Sequence, residues 1–152
     1  MTETKIEIVG DIQESEWVDR WYQTRLDQFN HIEFMRIKTL DKFNTICRDA
    51  ALKYDWTHKI NSDFRDGDKG QHGLGKAIDC VFYKNTPGDV NVIDQFIFAL
   101  SSNFNRVGFY PYWRTSGLHL DTKDNEHLYW WQGEDKIYHY GNNPSDILKW
   151  TV

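Results

Sequence analysis

The chain has 152 residues, one domain's worth, with a formal net charge of −5, 39% hydrophobic and 27% charged residues, the balance of a folded globular protein rather than a disordered one. Mean hydropathy is −0.71, and no apolar run approaches the roughly 18–20 residues of a membrane span, which excludes a transmembrane protein. The pI is about 5.6 and no cluster of Lys and Arg forms a stripe, which argues against a nucleic-acid partner.

Residues 1–30 read as an N-terminal extension of uncertain structure. Lys5 to Val9 alternates weakly like a short strand, and Trp17, Val18, Trp21, Tyr22 and Phe29 suggest an amphipathic helix. The start lacks the basic and apolar regions of a signal peptide, so synthesis in the cytoplasm is expected. From Thr39 to Tyr54, the residues Leu40, Phe43, Ile46, Cys47, Ala50, Ala51 and Tyr54 recur at three and four positions, one face of a helix. Lys76 to Tyr83 reads as a strand apolar on both faces. Pro87-Gly88-Asp89 is a turn, and Ile93, Phe96, Ile97, Leu100 and Phe104 mark a second helix from Asn91 to Phe104.

Shorter strands are expected at Arg106 to Tyr110, Leu118 to Thr122, Leu128 to Gln132 and Lys136 to Tyr140, separated by Gly, Asn and Asp. No repeat or linker divides the chain, so residues 1–152 are expected to form a single α+β domain. Cys47 and Cys80 do not make a disulfide framework and point to a reducing compartment or to release by lysis. Cys47 lies on the apolar helix stripe and reads as a small core residue rather than a nucleophile.

The first chemical anomaly is Asp79, a carboxylate within an apolar strand. Alternation puts it on the face of Ala77, Val81 and Tyr83, with Ile78, Cys80 and Phe82 opposite. Buried there, it must be paired with a cation, hydrogen-bonded or metal-bound. His72 precedes it across a glycine-rich turn that can fold back on the strand, and His119 shares a strand face with Asp121 in Leu118-His119-Leu120-Asp121. Two imidazoles and one carboxylate, with a fourth position left open, make a catalytic zinc set. His31, His58, His127 and His139 have no such partners and are expected at surfaces or interfaces.

The wording of these segments goes further than their spacing. His72-x6-Asp79, with Gly75 and Ala77 between, resembles the Ser-x-His-x-x-Gly-x-Ala-x-Asp signature of the zinc D-alanyl-D-alanine carboxypeptidase family, which shares its fold with lysostaphin-type peptidases and the hedgehog signalling domain. Leu118-His119-Leu120-Asp121 is similar to the family's closing His-x-Asp segment. Ile60-Asn61-Ser62-Asp63-Phe64-Arg65 resembles its Thr-Ser-Gly-Tyr-Arg segment, and Val107-Gly108-Phe109-Tyr110-Pro111 its Gly-Tyr-Tyr-Pro stretch. The four segments occur in the family's order and cover about Thr39 to Trp131.

The resemblance implies helices packed on a central, mainly antiparallel sheet that carries a Zn²⁺ site of His72, Asp79 and His119. It implies a peptidase, a carboxypeptidase or a cross-link endopeptidase, acting as a monomer on the stem peptides of bacterial peptidoglycan, at the cell wall, as a phage lysin would. Arg65 would hold a substrate carboxylate or the developing oxyanion. Trp113, Trp130 and Trp131 would wall the cleft. The departures from the family are Gly70 for its Ser, Asp63 for its Gly, and Ser116 where many relatives carry a catalytic acid. Asp121 is then the nearest acidic side chain to the last ligand. It would act on the water, orient His119, or serve as a structural carboxylate anchoring the strand.

Overall fold

The structure is a computed structural model that describes residues 26–114 and 116–143. The short strand expected at residues 5–9 and the helix suggested by Trp17 to Tyr22 lie outside these residues. Leu26–Gln28 is a 3-10 turn, after which Phe29 packs edge-on against Phe43, their ring centroids 6.2 Å apart.

Two helices and a six-stranded sheet follow. Helix α1 is Ile37–Tyr54 and helix α2 is Val92–Leu100. The strands are β1 Thr57–Ser62, β2 Ala77–Tyr83, β3 Arg106–Tyr110, β4 Gly117–Asp121, β5 Leu128–Gln132 and β6 Tyr138–Gly141. Their order across the sheet is β1-β2-β4-β3-β5-β6. Every neighbouring pair is antiparallel except β3 and β5, which run parallel. The α+β class and the mainly antiparallel sheet are as expected from the sequence, whereas β1 is an addition to it.

Alternation assigns the two faces of the sheet distinct work. Ile78, Cys80, Phe82, Val107, Phe109, Leu118 and Leu120 form one core with Leu40, Phe43, Ile46 and Cys47 of α1 and Phe96, Ala99 and Leu100 of α2. Each large side chain fully buried there contributes roughly 1.5–3 kcal/mol. Helix α1 stops at Asp55, whose φ of 58° is left-handed. Helix α2 starts at Asn91, whose side chain accepts the Ile93 N–H at 2.7 Å. The second helix is shorter than its periodicity suggests, because Ser101 and Ser102 turn their hydroxyls back onto the carbonyls of Phe98 and Ala99. Cys47 and Cys80 are buried free thiols, and burial raises the pKa of both.

His58 corrects an expectation. It is buried rather than at a surface, with its ring edge-on to Phe43. Trp131 also faces the helices, packs against the core and stacks on His139. It is on the wrong face to wall the cleft, because register gives that face to Trp130. Among the described residues, no helix is long and apolar enough to cross a membrane.

Candidate metal centre

The other face of the sheet carries the chemistry. Register aligns Asp79 of β2 with His119 of β4, and His119 with Gly108 of β3. Directly opposed residues project to the same side, so Asp79 and His119 meet across the centre of the sheet. His72 reaches them from a 3-10 turn, Gln71–Leu74, that runs into β2. The turn depends on glycine twice. A Cβ at Gly73 would lie 1.9 Å from the Asp68 carbonyl oxygen, and Gly75 has φ +70° with the Phe34 carbonyl 2.1 Å from where its Cβ would stand.

One donor atom each from His72, Asp79 and His119 lies within 4.8 Å of the others, so the cluster can hold a metal ion. The hydrogen bonds around it assign the tautomer of His72. His72 Nδ1 lies 2.7 Å from the Asp63 carbonyl oxygen, which can only accept, so Nδ1 carries the proton. In the neutral ring, Nε2 then presents a lone pair. It is buried without a hydrogen-bond partner, 3.2 Å from Asp79 Oδ1. His119 meets a carboxylate at each nitrogen, Nε2 with Asp121 Oδ2 at 2.7 Å and Nδ1 with the same Asp79 oxygen at 3.0 Å. In the tautomer whose Nε2 donates to Asp121, Nδ1 presents its lone pair to the cluster.

In that tautomer two nitrogen lone pairs converge on one carboxylate oxygen, an arrangement that needs a proton or a cation between them. Donor separations of 3.0 and 3.2 Å are close to the edge of about 3.3 Å that ~2.0 Å bonds give a tetrahedral ion. Without a cation, His119 takes the proton. Burial disfavours its charge, but Asp121 and Asp79 more than offset this and raise its pKa. Asp79 is also disfavoured as an anion by burial, and its contacts with His119 and His72 bring it below the usual carboxylate range.

Asp121 sits behind His119, on the side of the ring away from Asp79. It is fully buried. Arg106 grips it with a fork, Nε at 3.0 and 2.9 Å from the two oxygens and the terminal nitrogen at 2.7 Å, and the Lys123 N–H adds a bond at 3.1 Å. Burial would raise the Asp121 pKa, and the bonds from His119 and Arg106 outweigh it and lower it. This carboxylate does not line the cleft.

The cluster opens into a cleft of about 390 Å³ lined by Arg65, Asp68, Gln71, Trp113, Trp130 and Tyr138 among others. Arg65 is half exposed, with its guanidinium 3.8 Å from Asp68 Oδ2 and 3.6 Å from Asp79 Oδ2. Trp113 is 43% exposed and stacks on Tyr110 with centroids 3.7 Å apart, while its indole N–H donates to Gln132. The structure thus brings together His72, Asp79, His119, Arg65 and Trp113, and sets Asp121 one residue back. Ser116 is not part of the lining, and the carboxylates among the described residues that line the cleft are Asp68 and Asp79.

Two contributors escaped the sequence reading. The Asp63 carbonyl fixes His72, and the Asp63 side chain is itself held by the His31 N–H at 2.7 Å. Arg106 anchors Asp121. Alternation in β3 would have placed Arg106 on the face of His119; the Asp63 carbonyl has no side-chain signal at all. Trp130, expected in the cleft wall, lines it and lies over His119, with ring centroids 5.4 Å apart. Comparison with protein-family models, with curated proteins and with solved structures found no match to this chain.

Proposed function

We propose that this protein is a zinc-dependent peptidase that hydrolyses peptide bonds in the stem peptides of bacterial peptidoglycan, with the fold of the D-alanyl-D-alanine carboxypeptidase family. The observation that carries the reading is the buried, unpartnered Nε2 of His72 facing Asp79 and the Nδ1 of His119. Two imidazoles and one carboxylate form a three-ligand set beside a cleft, the pattern of catalytic rather than structural zinc. The four sequence segments that resemble the family supply the substrate class.

Zinc held there by His72, Asp79 and His119 would supply Lewis acidity and an acidified water. The chain's own residues do the rest. Asp63 and Asp121 each fix one imidazole in the tautomer that leaves a lone pair toward Asp79. Asp121 is therefore a positioning residue, and Arg106 keeps it ionised. Arg65 presents a planar donor fork at the rim, where a substrate carboxylate can displace its long contacts to Asp68 and Asp79. Trp113 and Trp130 form an apolar wall that limits water around the reacting carbonyl.

One observation favours a rival reading as a peptide-binding module with a structural metal: Ser116 stands where many family members carry an acid. Purified peptidoglycan separates the two. The peptidase releases new amino groups from it, stops with a chelator and resumes with added zinc. A binding module sediments with the same material and releases none.

A further inference from the structure

Sheet register places Arg106, Gly108 and Tyr110 of β3 on the same face as His119, and Trp130 of β5 directly beside Gly108. Gly108 is what lets the indole lie flat there. A Cβ at that position would fall 2.5 Å from the Trp130 ring, closer than any side chain could tolerate. Arg106 covers the indole at 5.3 Å. Held on both sides, Trp130 aims its N–H at the Tyr110 hydroxyl oxygen, 2.7 Å away.

That bond determines what Tyr110 can do. An indole N–H only donates, so the Tyr110 oxygen is the acceptor and its own O–H proton must point elsewhere. Tyr110 is 7% exposed and lines the cleft with His72, Asp79 and His119. Trp113 stacks over its ring, and Tyr138 crosses it edge-on with centroids 6.1 Å apart. With Trp130 donating from behind, the Tyr110 O–H is left to donate into the cleft, where an incoming carbonyl oxygen can accept it. Burial first, then Tyr138 and Asp79, raise the Tyr110 pKa against the lowering effect of Trp130, so the phenol stays a proton-bearing donor at neutral pH.

We propose that Tyr110 is a catalytic hydrogen-bond donor of this cleft, its phenol O–H holding the oxygen of the scissile carbonyl as that oxygen gains negative charge, with Trp130 as the residue that positions it. The inference rests on the peptidase reading and deepens it. No proton is transferred and no bond to Tyr110 forms; the hydroxyl is a fixed dipole pointed at developing charge, which is where preorganised donors act most strongly. Arg65 reaches the same cleft from the opposite strand edge but is shared with Asp68 and Asp79, whereas the Tyr110 hydroxyl is fixed from behind.

The test is Tyr110→Phe, which keeps the ring stacked on Trp113 and removes one oxygen. Zinc-loaded wild-type and variant proteins are compared for turnover of muropeptides and, by calorimetry, for binding of a phosphinic dipeptide whose anionic tetrahedral centre mimics the reacting carbonyl. The expected result is a kcat lower by about 10²–10³-fold with KM near wild type, the usual loss for one oxyanion donor. Phosphinate affinity should fall at least tenfold, with zinc content unchanged.

Where Tyr110→Phe folds poorly because the Trp130 N–H is left unpaired, the double variant Tyr110→Phe/Trp130→Phe removes both partners and carries the same expectation. Turnover and phosphinate binding both within about threefold of wild type would overturn the role of Tyr110 while leaving the peptidase intact. A wild-type protein that binds zinc and the phosphinate but cleaves no muropeptide would refute the peptidoglycan reading, and the phosphinate series would still decide Tyr110. Failure of wild type to bind the phosphinate would overturn both.

Discussion

Replacing Asp121 with Asn separates a residue that orients the metal ligand from one that works on the water. The substitution keeps size and shape and removes a charge from a fully buried site. In the wild type both oxygens are committed, one to His119 Nε2 and the Arg106 fork, the other to Arg106 and the Lys123 N–H. Asn can accept through one oxygen only, and its NH₂ must face a donor of either His119 or Arg106. Arg106 loses its short ion pair and keeps the contact with Glu126 at 3.9 Å. Removing one partner of a buried ion pair costs about 3–5 kcal/mol, and the partial exposure of Arg106 places this case at about 3. In a domain of this size that lowers Tm by roughly 6–12 °C.

For the metal, loss of an orienting carboxylate weakens binding by about 10–100-fold. A competitive zinc titration against a chromophoric chelator measures it, and a thermal melt of the metal-free protein measures the stability term. The pH dependence has a definite sign. The Asp121 pKa is lowered in the folded state, so its stabilisation is present above the unfolded value of about 3.9 and is lost as pH falls through the folded one. The gap in stability between wild type and Asp121→Asn should therefore close on acidification below about pH 4. Unchanged zinc affinity together with a rate loss of about 10²–10⁴-fold would refute the positioning role and make Asp121 the general base.

His72→Ala, Asp79→Ala and His119→Ala should each lose most of a zinc content of about one ion per chain, measured by atomic emission; full retention in all three would show the site to be elsewhere. Arg65→Lys keeps the charge and loses the fork, so kcat/KM should fall while zinc content stays constant, and unchanged kinetics would reduce Arg65 to a surface partner of Asp68. Asp68→Asn removes the cleft carboxylate that stands outside the cluster. If Asp68 accepts the proton of the attacking water, kcat drops by about 10²-fold or more at neutral pH, and a rate near wild type would exclude it.

The periodic parts of the fold were legible in the sequence. The stripe of Leu40, Phe43, Ile46 and Cys47 located α1, and strict alternation in β2 and β4 placed Asp79, His119 and Asp121 on one face, as register shows. The edge strand β1 has no apolar alternation in its sequence, because the two alternate positions that it buries are His58 and Ile60, and a histidine carries no hydrophobic signal. The parallel pairing of β3 with β5 also has no local signature, since it depends on how the chain returns between them. His58 was misplaced for a related reason. On an edge strand of this composition, one face still meets Phe43 of α1, a contact set by packing across the domain. At the site, the three metal-cluster residues were readable because their chemistry is conspicuous in an apolar strand. The groups that orient them were not, because one is the backbone carbonyl of Asp63 and another, Arg106, resembles any strand-end arginine.

The central claim is tested most directly by mass spectrometry of defined muropeptides, monomeric pentapeptide and cross-linked dimer, incubated with zinc-loaded protein, with protein plus chelator, and with His119→Ala. The account expects fragments whose summed mass exceeds the substrate by one water, ending in a new amine and a new carboxylate at a single peptide bond, in the first sample alone. Intact muropeptides in all three samples, from a protein shown to hold zinc, would contradict it.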